Sequence, residues 1–365
     1  MVPRIALIGI GTALPGPSIA QDQAAKVISR LTGVDEDWTT SLFHGTRIER
    51  RHFSLPPEAV VDALAGTSES GSPFVPHRDR PAGPSTAARM AVYASVAPRL
   101  ATAAASSALA DANVDSKSVT HLVTVSCTGF TAPGIDTALI RGLALPPTVE
   151  RVQVGFMGCH AAVNGLRVVR GLLAAAPRTT AMLVAVELCS LHFDYRYGSA
   201  GMVPNALFAD GAAAAILRSG TATEGWALTA TGSCWWPDTD DAMTWRIGDN
   251  GFEMTLSSKV PSLIAQNLRP WLGHWLSERG LKFADIKSWV VHPGGTRILD
   301  MVEGSLELPS RAIEMSRRVL SEHGNMSSPT VLFILDRLRQ HGATLPCVVL
   351  GFGPGLMAEA ALLTD

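Results

Sequence analysis

The chain has 365 residues, of which 47% are hydrophobic and only 17% charged, with a formal net charge of -2. That composition describes a compact protein with a large core, and it excludes a disordered chain or one built mainly to bind nucleic acid. Five cysteines, Cys127, Cys159, Cys189, Cys234 and Cys347, are odd in number, widely spaced and never in a C-x-x-C pair, which argues against a disulfide framework or a zinc site. A reducing cytoplasm is the expected home, and no apolar run is long enough to span a bilayer.

The N-terminus runs straight into Arg4-Ile5-Ala6-Leu7-Ile8-Gly9-Ile10-Gly11, a first strand rather than a secretory signal. The turn cluster Gly11 to Pro17 ends it, and a helix follows over about Ala20 to Leu31. The basic run Arg47-Ile48-Glu49-Arg50-Arg51-His52 fits either a solvated charged face or contacts to a phosphorylated ligand. Gly66 to Pro84, rich in Ser, Gly and Pro, reads as a surface loop. Alanines dominate Thr86 to Ala112, a long helix suited to close helix-on-helix packing in a buried layer. Val119 to Val125 is a strand entering the loop Ser126 to Gly134. Val149 to Val154 is another, and Thr180 to Glu187 is apolar enough for a buried parallel strand.

The tryptophan-rich stretch Trp226 to Trp245 crosses to a second half with the same alternation. Helices are expected over about Pro261 to Arg279, Pro309 to His323 and Thr330 to Gln340, with strands at Ser288 to Val291 and Pro346 to Leu350. Strands alternating with helices imply a layered α/β fold. Because the composition is even from end to end, two similar and intimately packed βα halves, 1–218 and 219–365, fit better than separate domains on a linker.

Cys159 stands out within Val154-Gly155-Phe156-Met157-Gly158-Cys159-His160-Ala161-Ala162-Val163-Asn164-Gly165-Leu166, where a small-residue turn joins a strand to a helix. Unpaired N–H groups and the positive end of the helix dipole would favour its thiolate; the plainer alternative is a small buried core residue. Two other turns carry matching chemistry. His292 follows a strand in His292-Pro293-Gly294-Gly295, and Asn325 lies between two helices in Gly324-Asn325-Met326-Ser327-Ser328. Cysteine, histidine and asparagine supply a thiolate, a cation to pair with it and an amide donor for a developing oxyanion. Each also has a plainer role, as a hydrogen-bonded turn histidine or a helix cap.

From about Gly11 to Gly355 the chain resembles the type III polyketide synthases, the chalcone synthase-like branch of the thiolase superfamily. The resemblance rests on Met157-Gly158-Cys159, Ala206-Leu207-Phe208-Ala209-Asp210-Gly211-Ala212-Ala213, His292-Pro293-Gly294-Gly295, Gly324-Asn325-Met326-Ser327-Ser328 and Gly351-Phe352-Gly353-Pro354-Gly355. It implies a homodimer of five-layered αβαβα thiolase fold that takes acyl-CoA and malonyl-CoA and needs no metal or further cofactor. Cys159 is then expected to hold the growing chain, His292 to pair with it, and His292 with Asn325 to stabilise the enolate left by decarboxylation. Phe208 matches one of two gatekeeper phenylalanines, and Met254 stands at the second.

The same resemblance assigns Cys127, Thr128, Ala132, Glu187, Cys189, His192 and Trp245, with Gly351, Phe352, Gly353, Pro354 and Gly355, to the substrate cavity. It assigns Arg47, Arg50, Arg51 and Arg297 to CoA phosphates. Several positions depart from the plant pattern: Cys127 and Cys189 replace threonines, His192 another threonine, Trp245 a glycine and Ala132 a methionine at the dimer interface. These changes are similar to bacterial members. Cys127 and Cys189 are either spare pocket thiols or reactive ones, and His192 is either a second base or a wall. The small Ala132, with Thr128 and Cys189, is expected to open a tunnel for a medium- or long-chain acyl starter, giving an alkylpyrone or alkylresorcinol. Alternatives are a malonyl-primed tetrahydroxynaphthalene synthase, an initiating ketoacyl synthase of fatty-acid type, a Cys-His-Asn hydrolase and a catalytically silent binding partner.

Overall fold

The computed structural model describes residues 3–16, 18–75, 81–195, 199–220 and 225–365. Pro17 of the predicted turn and residues 76–80 of the predicted Gly66 to Pro84 loop lie outside them. Strand β1 (Arg4–Ala13) takes in the first three residues of the predicted turn cluster, and the short strand β2 (Ser18–Ala20) leads into α1 (Gln21–Thr32) and α2 (Glu36–Gly45). Strand β3 (Arg50–His52) pairs with β2, and α3 (Pro57–Ala65) precedes the long α4 (Thr86–Asp111). Then come β4 (Val119–Ser126), α5 (Ile135–Gly142), β5 (Glu150–Gly155), α6 (Ala161–Ala175), β6 (Thr180–Leu188), α7 (Ser199–Leu207) and β7 (Asp210–Gly220).

The second half opens with β8 (Trp226–Trp235) and the hairpin of β9 (Met243–Gly248) and β10 (Gly251–Leu256). It continues with α8 (Val260–Ser277), β11 (Ser288–Val291), α9 (Thr296–Leu306), α10 (Glu314–His323), α11 (Thr330–Gln340), β12 (Cys347–Gly353) and β13 (Met357–Thr364). Nine strands form one sheet in the order β11-β12-β13-β8-β1-β7-β6-β4-β5. The halves meet where β1 and β8 share only two residue pairs, Ala6 with Ala227 and Leu7 with Trp226, so two half-sheets are joined at a narrow seam. Strand β6 lies parallel to β4 but antiparallel to β7, which corrects the expectation of a purely parallel environment. Both neighbours bury it, and all nine of its residues are inside.

Three apolar clusters define five layers. Between the half-sheets, α6 and α11 bury Leu166, Leu173, Val331 and Leu335 against Val123 and Leu183 on one side and Val290 and Val349 on the other. Outside the first half-sheet lie α4 and α5, and outside the second lie α8 and α9. Truncating a central residue such as Leu183 to alanine would cost about 2–5 kcal/mol, because so closely packed an interior cannot collapse onto the void.

The alanines of α4 serve contact with a sheet rather than with other helices. A Cβ on Gly11 of β1 would stand 2.2 Å from the Ala108 backbone nitrogen, so glycine on the strand and alanine on the helix together permit the close approach. The helix is therefore an outer layer with one face open to solvent, not the buried layer expected from composition. Among the described residues no helix is long and apolar enough to cross a membrane.

Candidate active site

The turn that carries Cys159 is shaped by two positive φ angles, Phe156 at 60° and Gly158 at 79°. Phe156 is a non-glycine residue held in the left-handed region, a strained backbone placed next to reacting groups. At Gly158 the constraint is double, since a Cβ there would also sit 2.3 Å from Cδ of Pro354. The turn thus depends on the Gly351–Gly355 motif at the far end of the chain. Cys159 follows in a single 3-10 turn ahead of α6 and is 7% exposed.

Two cavities meet at this sulfur. One, of about 260 Å³, is walled by Thr128, Cys189, His192 and Trp245 and extends between α1 and α3, along Ala24, Val27, Ile28, Leu31, Ala59, Val60 and Ala63. The other, of about 600 Å³, contains His292, Asn325 and Phe352 and opens past Trp38, Ser41, Ser258 and Arg297. Among the described residues only Cys159, Phe208, Met243 and Met254 line both, so the two predicted gatekeepers stand at the junction.

Asn325 is fixed by its backbone to the gatekeeper segment. Its N–H donates to the Leu207 carbonyl at 2.9 Å and its carbonyl accepts from the Ala209 N–H at 2.9 Å. Its side-chain oxygen accepts from the Ser327 N–H at 2.8 Å, which leaves the amide NH₂ free to point at Cys159. The Asn325 amide and the Ser327 hydroxyl both hydrogen-bond the Cys159 side chain. Ser327 is a site residue the sequence did not single out; its φ of 58°, which turns the chain there, leaves no sequence signature.

His292 follows β11, with its N–H on the Leu350 carbonyl at 2.8 Å, and is 1% exposed. Burial pushes the Cys159 thiol up to about 11, against the pull of the Ser327 and Asn325 hydrogen bonds. The same desolvation pushes His292 down to about 3. Burial therefore outweighs the pull that the helix start is expected to exert on the thiol. An ion pair of the two would have to offset a penalty that each meets separately.

Glu187, fully buried at the end of β6, gathers the loops around the cysteine. It accepts from the Cys127 N–H at 2.9 and 3.1 Å, the Thr128 hydroxyl at 2.7 Å and the Ser328 hydroxyl at 2.6 Å. Burial outweighs these donors and raises its carboxyl to about 7. Cys127 accepts from the Gly158 N–H at 3.0 Å, and burial holds both its thiol and that of Cys189 well above the usual range. Both line the smaller cavity. His192 is a wall as well: Nε2–H donates to the Thr128 carbonyl at 2.6 Å and Nδ1 accepts from the Phe252 N–H at 2.9 Å. With both nitrogens engaged, its ring stacked 4.1 Å from Phe252 and its pKa lowered by burial to about 3, it has no proton to exchange with substrate. Trp245 closes that wall by donating to the Cys127 carbonyl at 2.9 Å.

Several expectations fail on position. Ala132 is exposed, beside the cis Ala132–Pro133 bond, and lines neither cavity, so the apolar tunnel does not begin there. Arg51 is 1% exposed: its guanidinium donates to Gln21 at 2.8 Å and to the carbonyls of Asn205 and Phe208 at 2.8 and 2.7 Å, between the rings of Phe43 and Phe53. It is a buried tie, not a phosphate ligand. Arg47 and Arg50 are exposed but outside both cavities, whereas Arg297 is at the mouth of the larger one. Of the glycine-rich motif, Pro354 and Phe352 reach the cavities, while Gly351, Gly353 and Gly355 shape and pack β12 and its turn.

A strand-to-helix cysteine between two half-sheets of a five-layered fold is the arrangement of a thiolase-like condensing acyltransferase. More narrowly, the chain belongs to the chalcone and stilbene synthase family, the type III polyketide synthases. Residues 3–221 match that family's N-terminal domain and residues 228–365 its C-terminal domain. A 1,3,6,8-tetrahydroxynaphthalene synthase of Streptomyces peucetius subsp. caesius is 34% identical, over 97% of this chain and 91% of that protein. An alpha-pyrone synthesis polyketide synthase-like protein, Pks18, of Mycobacterium tuberculosis is 29% identical, over 97% and 89%. The crystal structure of PKS-I from the brown alga Ectocarpus siliculosus superposes with a TM-score of 0.91 at 31% identity, covering 100% of this chain and 99% of that one. CoA thioesters are the substrates of this family.

Proposed function

We propose that the protein condenses a medium- or long-chain fatty acyl-CoA with malonyl-CoA and cyclises the product to an alkylpyrone or alkylresorcinol. In this reading Cys159 Sγ attacks the starter carbonyl and expels CoA as its thiol. Malonyl-CoA then loses carbon dioxide, and the thioester enolate that remains is held at oxygen by His292 and the Asn325 amide. The enolate carbon attacks the acyl-cysteine carbonyl, the new carbon–carbon bond forms and the C–S bond to Cys159 breaks. The extended chain leaves on CoA and returns to Cys159 for the next round. The chemistry needs no metal or other cofactor, because hydrogen bonds carry the developing charge.

The observation that carries the starter assignment is the apolar cavity between α1 and α3, which leads away from Cys159 and offers alkyl and phenyl groups to a chain. Each methylene moved into such a wall from water is worth about 0.8 kcal/mol, so a few outweigh one hydrogen bond to a polar starter. A malonyl-primed tetrahydroxynaphthalene synthase is the second reading, favoured by Cys127 in the same cavity beside Cys159. Homodimer formation through the exposed edge strand β5, with Val152 at 38% and Phe130 at 42% exposure, fits both readings, as does a reducing cytoplasm for five free thiols. The deciding assay incubates the protein with malonyl-CoA and acyl-CoAs of increasing length and identifies products by mass spectrometry. Products that retain the added alkyl chain are expected. Tetrahydroxynaphthalene from malonyl-CoA alone, with added acyl-CoAs ignored, would overturn the starter assignment in favour of the second reading.

A further inference from the structure

A second buried histidine directly follows the nucleophile. His160 is 1% exposed, and its ring lies against β12: a Cβ on Gly353 would stand 2.4 Å from its Cδ2 and 2.6 Å from its Nε2, and one on Gly351 would stand 3.0 Å from its Cβ. The two glycines make room for an imidazole. His292 follows the neighbouring strand β11, its N–H on Leu350, one residue before Gly351, and it is near enough to His160 for the charge of one ring to bear on the other.

The tautomer of His160 follows from its partners. Its Nδ1 meets the Asn164 side-chain oxygen at 2.6 Å, and the Asn164 amide donates to Glu359 at 3.0 Å. Glu359, itself 1% exposed, is held by the Arg167 guanidinium and by the Ser233 hydroxyl at 2.7 Å. With the asparagine turned so that its oxygen faces the ring, Nδ1 must carry the proton and Nε2 must present a lone pair. That Nε2 is buried with no protein partner among the described residues, as are both ring nitrogens of His292. Three unpaired imidazole nitrogens in one interior are costly, and burial disfavours the protonated form of both rings.

We propose that His160 is a positioning residue for His292: through one shared buried water, its Nε2 accepts the inner N–H of the His292 imidazolium, backed by Asn164 and Glu359. A water in that place satisfies both rings, and His292 keeps its other nitrogen for Cys159 or the substrate oxygen. This rests on the pairing of Cys159 with His292 proposed above. Other charged groups bearing on it are Arg167 and Glu359 behind His160, and Glu187, which acts on Cys159.

The test is the pH dependence of Cys159 alkylation by iodoacetamide, with malonyl-CoA decarboxylation measured alongside. His160→Phe keeps the volume but removes the acceptor, and should lower the alkylation rate near neutral pH by about tenfold and move the profile to higher pH. His160→Gln, which restores a polar atom near Nε2, should recover most of that loss. Asn164→Leu, which severs the link to Glu359, should shift the profile in the same direction, and circular dichroism identifies any variant that fails to fold. His292→Ala separates the two claims. If it leaves alkylation unchanged, the underlying pair is wrong; if it slows alkylation while folded His160→Phe and Asn164→Leu keep the wild-type profile, only the role of His160 falls.

Discussion

The two cavities that meet at Cys159 are held by different kinds of structure. Around the sulfur and in the larger cavity the key groups are buried beside strand ends: Glu187 is one residue short of the end of β6, His292 follows β11 and Asn325 is bridged to Phe208. The smaller cavity is walled by α1 and α3, and α1 packs in a small satellite cluster with Phe43, Met202 and Ala206, apart from the three main cores. The contrast shows how one family keeps a single chemistry while accepting varied acyl groups. The proposed bond-making groups are locked by the sheet, whereas the groups proposed to measure the chain stand on peripheral helices where substitution costs the core little.

The sharpest way to break this division is Cys159→Ala. Condensation should fall by about a thousandfold or more, while decarboxylation of malonyl-CoA continues because His292 and Asn325 still hold the enolate. Near wild-type extension, read as product mass against carbon dioxide released, would remove Cys159 from the chemistry.

Next in size is a pH effect confined to the chemical side. The Glu187 carboxyl, raised by burial to about 7 from the ordinary 4.5, makes the folded state bind more protons than the unfolded chain between those values. Wild-type stability should therefore fall as pH rises through that window and level off above it. Glu187→Gln has no such slope, so its disadvantage in urea unfolding at about pH 5 should shrink by about 3 kcal/mol near pH 8. A pH-independent difference would mean that Glu187 is ionised throughout.

On the peripheral side, Ala63→Phe fills the acyl cavity. Displacing about three methylenes should lower kcat/KM for long-chain starters by about sixty-fold, at about 0.8 kcal/mol each, with acetyl-CoA turnover spared. Equal losses for short and long starters would show that the cavity does not measure chain length. The smallest effect is expected at the junction. Met254→Phe exchanges a flexible side chain for a rigid one and should change decarboxylation by less than about threefold while narrowing the range of product lengths; an unchanged product distribution would take Met254 out of the gate.

The same division explains what could be read without coordinates. The reacting residues lie in turns whose glycines and prolines are written into the chain, and β11 and α11 begin and end where their apolar periodicity does. The helix α9 is harder to see in the sequence although Leu299, Val302 and Leu306 recur at helical spacing, because the His-Pro-Gly-Gly turn directly before it has the composition of a loop. Strand β13 gives little signal for a similar reason: it follows a glycine-rich motif whose first three residues carry β12 as far as Gly353. Arg51 was misjudged because a run of arginines looks the same whether it faces water or is stacked between two rings. Ala132 was misplaced because which wall a residue joins depends on contacts far away in the chain. No pattern within α1 or α3 announced a cavity between them; alanines on a helix face look like packing until the opposite wall is known.

The buried Arg51 also constrains anyone who would redesign the starter preference. Its guanidinium holds Gln21 at the head of α1 and, with the same fork, the Phe208 carbonyl, whose next peptide N–H is on Asn325. The helix proposed to measure the acyl chain and the ring at the junction of the two cavities thus hang from one cation. Libraries aimed at chain length should vary Ala24, Val27 and Leu31 and leave Gln21 and Arg51 untouched, since a helix cut loose at that point would carry the Phe208 gate and the amide of Asn325 with it.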